Sequence, residues 1–302
     1  MTAILHSNLE TDLRLASALA ANMRVLLADR ASLRTTGAIS FLGSVNGSLT
    51  DTLAERFAGL DGYDAFAAAS SENSDESSTA LTDASASIAV ARQVIRRDIS
   101  DLAVLTGNGG ISPRRLAASM VGEYEQGFNQ LVANAIDDAS TDVGSSGVDA
   151  SISDFFDAIY TLEIANVEGP LFAVLHPRQV ADLTESLRSE GGAIQYMAAT
   201  QEMLNAKGAG YVGSLLGVDI HKISKVNSAG GNRHGAVFGL GALGYRVGTV
   251  EEVIGNTVIR ADEFIIEFER SASQSTTQVV GSAYLGVGIL EQGRIVGFVT
   301  DA

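Results

Sequence analysis

Between residues 8 and 29, apolar side chains recur at Leu9, Leu13, Ala16, Leu19, Met23 and Leu26, three or four positions apart, which predicts an amphipathic helix. Near the start of a chain, such a stripe has two available partners: the body of its own subunit, or a neighbouring subunit. Residues 34–45, RTTGAISFLGSV, are short, β-prone and punctuated by glycine. The pattern then dissolves into DGYDAFAAASSENSDESSTALTDASAS, with six acids and no Lys or Arg between Phe57 and Val90, which predicts a solvated loop. Strand character returns at SIAVARQVIRR. Two strand-like arms around a long polar middle predict an extended β-hairpin or flap, and a loop of this length is uncommon in a compact domain unless it has a role.

The strongest helical signal follows. Ser112 suits an N-cap and Pro113 the first helical position. Leu116, Met120, Tyr124, Phe128, Leu131 and Ala135 then form an apolar stripe about six turns long, the length of a scaffold spine. ISDFFDAIYTLE predicts a shorter helix. LFAVL reads as a buried strand broken by His176-Pro177, with a helix from Gln179 to Leu187. GAIQYMAATQEMLNAKG predicts another helix, and YVGSLLGVDIHKIS and HGAVFGLGALGYRVG read as strands joined by NSAGGNRHG. From residue 260 onward about three strands are expected. Helices and strands mix without regular β-α-β repetition, so the expected class is α+β.

Composition narrows the function. The 302 residues are 46% apolar and include no cysteine, which excludes disulfides, zinc-thiolate sites and thiol nucleophiles. With 36 acids against 20 bases, the net charge of −16 repels nucleic acid phosphates, so a chain working near DNA would enclose it rather than grip it. No apolar run approaches the eighteen or so residues of a membrane span, and the start has no signal-peptide block. The expectation is a soluble protein made in the cytoplasm.

Gly239, Gly241 and Gly244 match the dinucleotide pattern G-x-G-x-x-G, and so do Gly208, Gly210 and Gly213. In a chain with 32 glycines such a loose pattern arises by chance. The first match has no helix after it to receive a pyrophosphate. Asp262 lies near the distance of the ribose acid, yet only 58 residues remain after Gly244. Its glycines are expected to thin a core strand and its exit turn. GNGGISP reads as a plain helix start. Asp138, Ser140 and Asp142 fall at the first, third and fifth places of a calcium loop, but Val143 stands where glycine is needed and Asp149 where a bidentate Glu is needed; a polar linker is expected. His6, His176, His221 and His234 lack metal-ligand spacing, and His176 is expected to cap or pack. No catalytic, cofactor-binding or metal-ligating residue is assigned, no cofactor is implied, and the chain is read as not an enzyme.

The order of these parts resembles the major capsid proteins of tailed bacteriophages, the Hong Kong 97-like fold. LFAVLHPRQVADL is similar to that family's strand-Pro-helix unit, GYVGSLLGVDIHKIS to its Gly-x-Leu-x-Gly strand, and GAVFGLGALGYRVG to its next core strand, with Ala242 at a small position. The resemblance implies an N-terminal arm at 1–33 and a flap, the E-loop, at 34–97. It implies a peripheral domain with a long spine helix at 98–150 and 260–302, and an axial domain at 151–259. It implies a structural protein that self-assembles as pentamers and hexamers into an icosahedral shell around double-stranded DNA. Implied partners are further copies of the chain, a portal and a scaffolding protein, with no membrane and no sequence-specific DNA binding. The implied location is the virion, after assembly in the host cytoplasm. Some family members crosslink through a flap lysine; Lys207, Lys222 and Lys225 all lie outside the flap, so that crosslink is not expected. The alternatives are an encapsulin-type nanocompartment shell and, below it, a nucleotide-dependent cytoplasmic enzyme.

Overall fold

The computed structural model describes residues 18–23, 25–26, 33–34, 36–44, 52–58, 83–100, 113–189, 196–207, 210–226, 228–229, 231–248, 259–261, 264–271 and 273–301. Helical residues 18–23 and 25–26 precede strand β1 (Ser40–Ser44), β2 (Thr52–Ala58), β3 (Asp83–Ala89) and β4 (Ala91–Ser100). Helix α1 (Pro113–Asp137) is followed by β5 (Asp142–Gly144), α2 (Ile152–Ile164), β6 (Leu171–Leu175), α3 (Pro177–Ser189), β7 (Tyr196–Ala198) and α4 (Gln201–Lys207). Then come β8 (Tyr211–Leu215), β9 (Val218–Lys222), β10 (Ser228–Ala229), β11 (Asn232–Gly239) and β12 (Leu243–Gly248). The chain finishes with β13 (Ile259–Ala261), β14 (Phe264–Ser271), β15 (Thr276–Ile289) and β16 (Ile295–Asp301).

Two sheets carry the fold. The first runs β1-β12-β15-β14-β13, with β4 also on β15. The second runs β5-β16-β11-β6-β9-β8-β7, with β10 on β11. β2 and β3 form a separate antiparallel ladder. The central strands of the second sheet, β6, β11 and β16, are buried on both faces, which is why LFAVL shows no alternation. Phe172 and Val174 of β6 face a core shared with α1, whereas Ala173 and Leu175 face a second core under α2 and α3. β11 repeats the scheme, with Ala236 and Phe238 on one side and Val237 on the other.

α1 starts at Pro113, the position its fixed φ favours, and runs 25 residues. Met120, Val121, Tyr124, Phe128, Val132 and Ile136 are buried; Leu116 and Leu131 of the expected stripe are half-buried at its margin. The helix touches β15 of one sheet and β11 of the other. Leu19 and Met23 are fully buried in the same core, so this part of the N-terminal helix packs on its own subunit; residues 8–17 of that helix lie outside the described residues. Arg34 fixes the next turn of chain to the spine. Its guanidinium pairs with Glu125 at 3.1 Å, donates to the Tyr124 hydroxyl at 3.1 Å, and stacks over the Tyr124 and Phe128 rings.

Several expectations change. The stretch at 34–45 does not supply a flap arm: its strand β1 pairs in parallel with β12. The hairpin ladder is instead β2 with β3; β3 (DASASIA) begins in what reads as solvated loop and ends in the first residues of the strand-like SIAVARQVIRR, because the Ala and Ser of its first half carry no strand pattern of their own. The polar stretch 59–82 lies outside the described residues. YVGSLLGVDIHKIS is not one strand but two, β8 and β9, joined by Leu216 and Gly217, both at positive φ (54° and 83°), a type I′ turn. Among the described residues of GAIQYMAATQEMLNAKG, 201–207 is helical and Tyr196–Ala198 is the strand β7. Sheet membership also differs from the sequence boundaries. β12, inside 151–259, joins the first sheet, and β16, inside 260–302, joins the second. A run of apolar residues states that a strand is buried, not which partner it finds.

Glu125→Ala is expected to destabilise the isolated subunit by about 1–3 kcal/mol, because it removes the carboxylate that faces the Arg34 guanidinium in a nearly closed site. Replacing both residues with apolar side chains of similar volume should recover most of that loss. The midpoint of urea unfolding for the two variants checks both statements.

Candidate functional site

VFGLGALGYR is the corner where the chain leaves one sheet for the other. β11 ends at Gly239, the amide of Ala242 donates to the carbonyl of Gly239 at 3.2 Å, and β12 begins at Leu243. Gly241 takes the third place of this type II turn, at φ 84°, which L side chains rarely adopt. A Cβ at Gly239 would overlap Val167, and one at Gly244 would press on Leu42 and Leu290. The three glycines thus serve a turn and two close packings, and a strand follows where a phosphate-binding helix would have to start. In the second match, Gly213 sits at the irregular register between β8 and β9 and lets the Met197 carbonyl of β7 approach; Gly208 lies outside the described residues.

The other sequence candidates do not converge. GNGGIS, before Pro113, and His6 lie outside the described residues. After α1, the Asp138 carbonyl accepts from Gln292, Asp142 opens β5 beside β16, and Asp149 pairs with Arg178. Among the described residues no three His, Asp or Glu side chains group as metal ligands. His234 pairs with Asp137 at 3.2 Å. His176 caps α3: its Nδ1 accepts the Arg178 amide at 3.1 Å, so that nitrogen carries no proton. Burial, then the charge of Arg233, hold its pKa below the ordinary value.

Gln179 completes this cap, and sequence reading missed it. Its Oε1 accepts the His176 amide at 2.9 Å, while its Nε2 donates to Phe298 O at 3.0 Å and Thr300 Oγ1 at 2.9 Å. A fully buried amide therefore ties α3 to β16, and Gly235 leaves the space it occupies. The sequence signal was the H-P-x-Q spacing of a capping box with His in the first place.

The root of the hairpin is held by a second glycine device. A Cβ at Gly286 would overlap the Ala89 carbonyl, and one at Gly288 would press on Ile88. Ile88 is 2% exposed, seated over this notch in β15 at the end of β3. The next strand, β4, pairs along β15 from Ala91–Leu285 to Ser100–Thr276. Between β4, α1 and β15 lies a mostly apolar cleft of about 180 Å³, lined by Val94, Ile95, Tyr124, Phe128, Ala283 and Leu285. Arg97 and Glu123 pair at its rim. Nothing in this lining pairs a nucleophile with a base. The cleft suits an apolar contact rather than a reaction.

No protein-family model matches the chain, and none of the curated proteins matches it. Solved structures do. A structure from Mycobacterium phage Che8 aligns with TM-score 0.56 and 15% identity over 82% of this chain and 84% of that one. The capsid of Ralstonia phage GP4 aligns with TM-score 0.61 and 11% identity over 91% and 90%. The holo-SrpI encapsulin complex from Synechococcus elongatus PCC 7942 aligns with TM-score 0.58 and 10% identity over 86% and 84%. At these identities the likeness is one of fold: the chain has the mixed α+β capsid fold that its sequence resemblance implies.

Gly241→Val is expected to cost about 2 kcal/mol of stability, and Gly241→Asn clearly less, since Asn tolerates positive φ. Denaturant unfolding of both variants measures the order. His221, packed on Tyr211 with ring centroids 5.5 Å apart, gives a pH dependence. Burial pushes its pKa down from 6.5 to about 4, against the opposing pull of Asp219 and with the repulsion of Lys207. Its folded pKa is depressed, so the stability is complete above about 6.5 and is lost as pH falls to about 4, roughly 3 kcal/mol in total. Thermal melts of unassembled subunits from pH 7 to 4 should show the fall, and His221→Phe should flatten most of it.

Proposed function

We propose that the chain is a viral major capsid protein that assembles as pentamers and hexamers into an icosahedral shell around double-stranded DNA. The observation that carries this reading is the length of the likeness: the capsid chain of Ralstonia phage GP4 aligns over nine-tenths of both partners. The β2–β3 hairpin takes the part of the flap, α1 that of the spine, and the first and second sheets those of the peripheral and axial domains. Residues 1–33 take the part of the arm. A net charge of −16 suits a wall that must not bind the genome it holds. The partners proposed for such a shell are a portal and a scaffolding protein, and its proposed location is the virion. A shell subunit works through contacts, so no catalytic group is assigned.

The likeness to the SrpI encapsulin supports a second reading, a nanocompartment around a protein cargo. The two differ in contents. Expressed alone and with its genomic neighbours, the protein is expected to form closed shells visible by electron cryomicroscopy. DNA protected from nuclease inside them supports the capsid reading; one co-purifying cargo enzyme and no nucleic acid supports the compartment. Persistently monomeric protein, with its neighbours present, would sink both. Because no lysine lies in the hairpin region, shells boiled in SDS should run as a single band at the 31.4 kDa subunit mass. A covalent ladder would contradict that expectation.

A further inference from the structure

α2 is apolar on two sides. Its inner side, with Phe155, Ile159 and Leu162, fills the second core. On its outer side Phe156, Tyr160 and Ile164 are 41%, 62% and 62% exposed, spaced four residues apart in one stripe. At about 100° per residue, the exposed Asp157 and Glu163 fall on either flank of that stripe. α2 lies over β5, β16 and β11, at one end of the second sheet.

The other end of the same sheet, about 30 Å away across seven strands, has the opposite character. Its last strand, β7, exposes Tyr196 and Met197. All three lysines of the chain lie in the half of the sheet nearer β7: Lys207 in α4, which packs on β8, and Lys222 and Lys225 at the close of β9, two strands in from β7. Lys207 is held by Asp219 at 2.6 Å. Lys222 and Lys225 are exposed and form no ion pair with a described carboxylate, and Asp157 and Glu163, also exposed, form none with a described Lys, Arg or His.

We propose that the occupant of the α2 stripe is a second copy of this chain, which seats its β7 edge on Phe156, Tyr160 and Ile164 and sets Lys222 and Lys225 against Asp157 and Glu163. Apolar surface meets apolar surface, and the only lysines of a chain with net charge −16 meet its carboxylates. The two surfaces are different and stand at opposite ends of one sheet. The contact is therefore head-to-tail, and repetition by a fixed rotation closes a ring. The inference rests on the shell reading and names the contact that builds its pentamers and hexamers.

Two measurements test it on the full chain. Tyr160→Glu/Ile164→Glu places charge in the stripe at positions that carry no core packing. The subunit should keep its wild-type melting temperature while the assembled fraction falls about tenfold or more at fixed concentration. In assembled wild-type particles, a zero-length carbodiimide crosslinker should join Lys222 or Lys225 of one subunit to Asp157 or Glu163 of the next. With three lysines in the chain, mass spectrometry assigns such peptides without ambiguity. Particles that form normally from the variant, or wild-type lysines that crosslink elsewhere or not at all, overturn this contact while leaving the shell reading intact. A wild-type protein that never assembles overturns both. If the variant fails to fold, the wild-type crosslinks decide.

Discussion

At the joint between the two sheets, the amide of Leu290 donates to the carbonyl of Ala242 at 2.8 Å, and the Arg294 guanidinium donates to the Leu240 carbonyl at 3.2 Å. These bonds hold side by side two of the three places where the chain passes from one sheet to the other, out of β11 into β12 and out of β15 into β16; the third passage, from β4 to β5, runs through α1. Both crossings are tight, so the sheets cannot separate without breaking strands at their ends. α1 lies over this joint and buries one continuous face against both sheets. The rest of the subunit hangs from that arrangement. The hairpin rises from β15 on one side, and the helices α2 and α3 close the far face of the second sheet.

The same constraint explains where the glycines fall. Gly239, Gly241 and Gly244 mark one crossing, and Gly286 and Gly288 mark the seat of Ile88, where the hairpin root passes over β15. Each sits where backbone or a neighbouring side chain leaves no room for Cβ, or where φ is positive. Clustered in sequence they imitate a nucleotide loop. In space they allow two sheets, a corner and a hairpin root to approach closely, which is a mechanical use of glycine rather than a chemical one.

Much of this was legible in the residues. Pro113 and the stripe through Met120, Tyr124 and Phe128 define α1 by themselves, since helical periodicity is local and the proline fixes its start. His176-Pro177 likewise marks the break between β6 and α3. The outer stripe of α2 was open to reading too: Phe156, Tyr160 and Ile164 lie beside Phe155, Ile159 and Leu162, so the helix is apolar around too much of its circumference for a single core. Gln179 was harder, because its partners Phe298 and Thr300 lie more than a hundred residues away. The Arg34–Glu125 pair has the same character, joining residues 91 positions apart.

Composition, helix periods and turn residues thus determined by themselves an α+β chain without thiol chemistry, with a long spine helix and glycine-marked corners. All of these depend on a few neighbouring residues or on a count. Only the tertiary structure decided that β12 belongs with β15 and β16 with β11, that β1 lies in a sheet rather than in the hairpin, and that an Ala/Ser stretch becomes β3. Strand pairing is a contest between distant segments of similar pattern, settled by register, burial and the space that glycine leaves. The apolar stripe on α2 and the lysines of α4 and β9 were likewise visible as residues, but the sheet order alone places them in opposite halves of one surface.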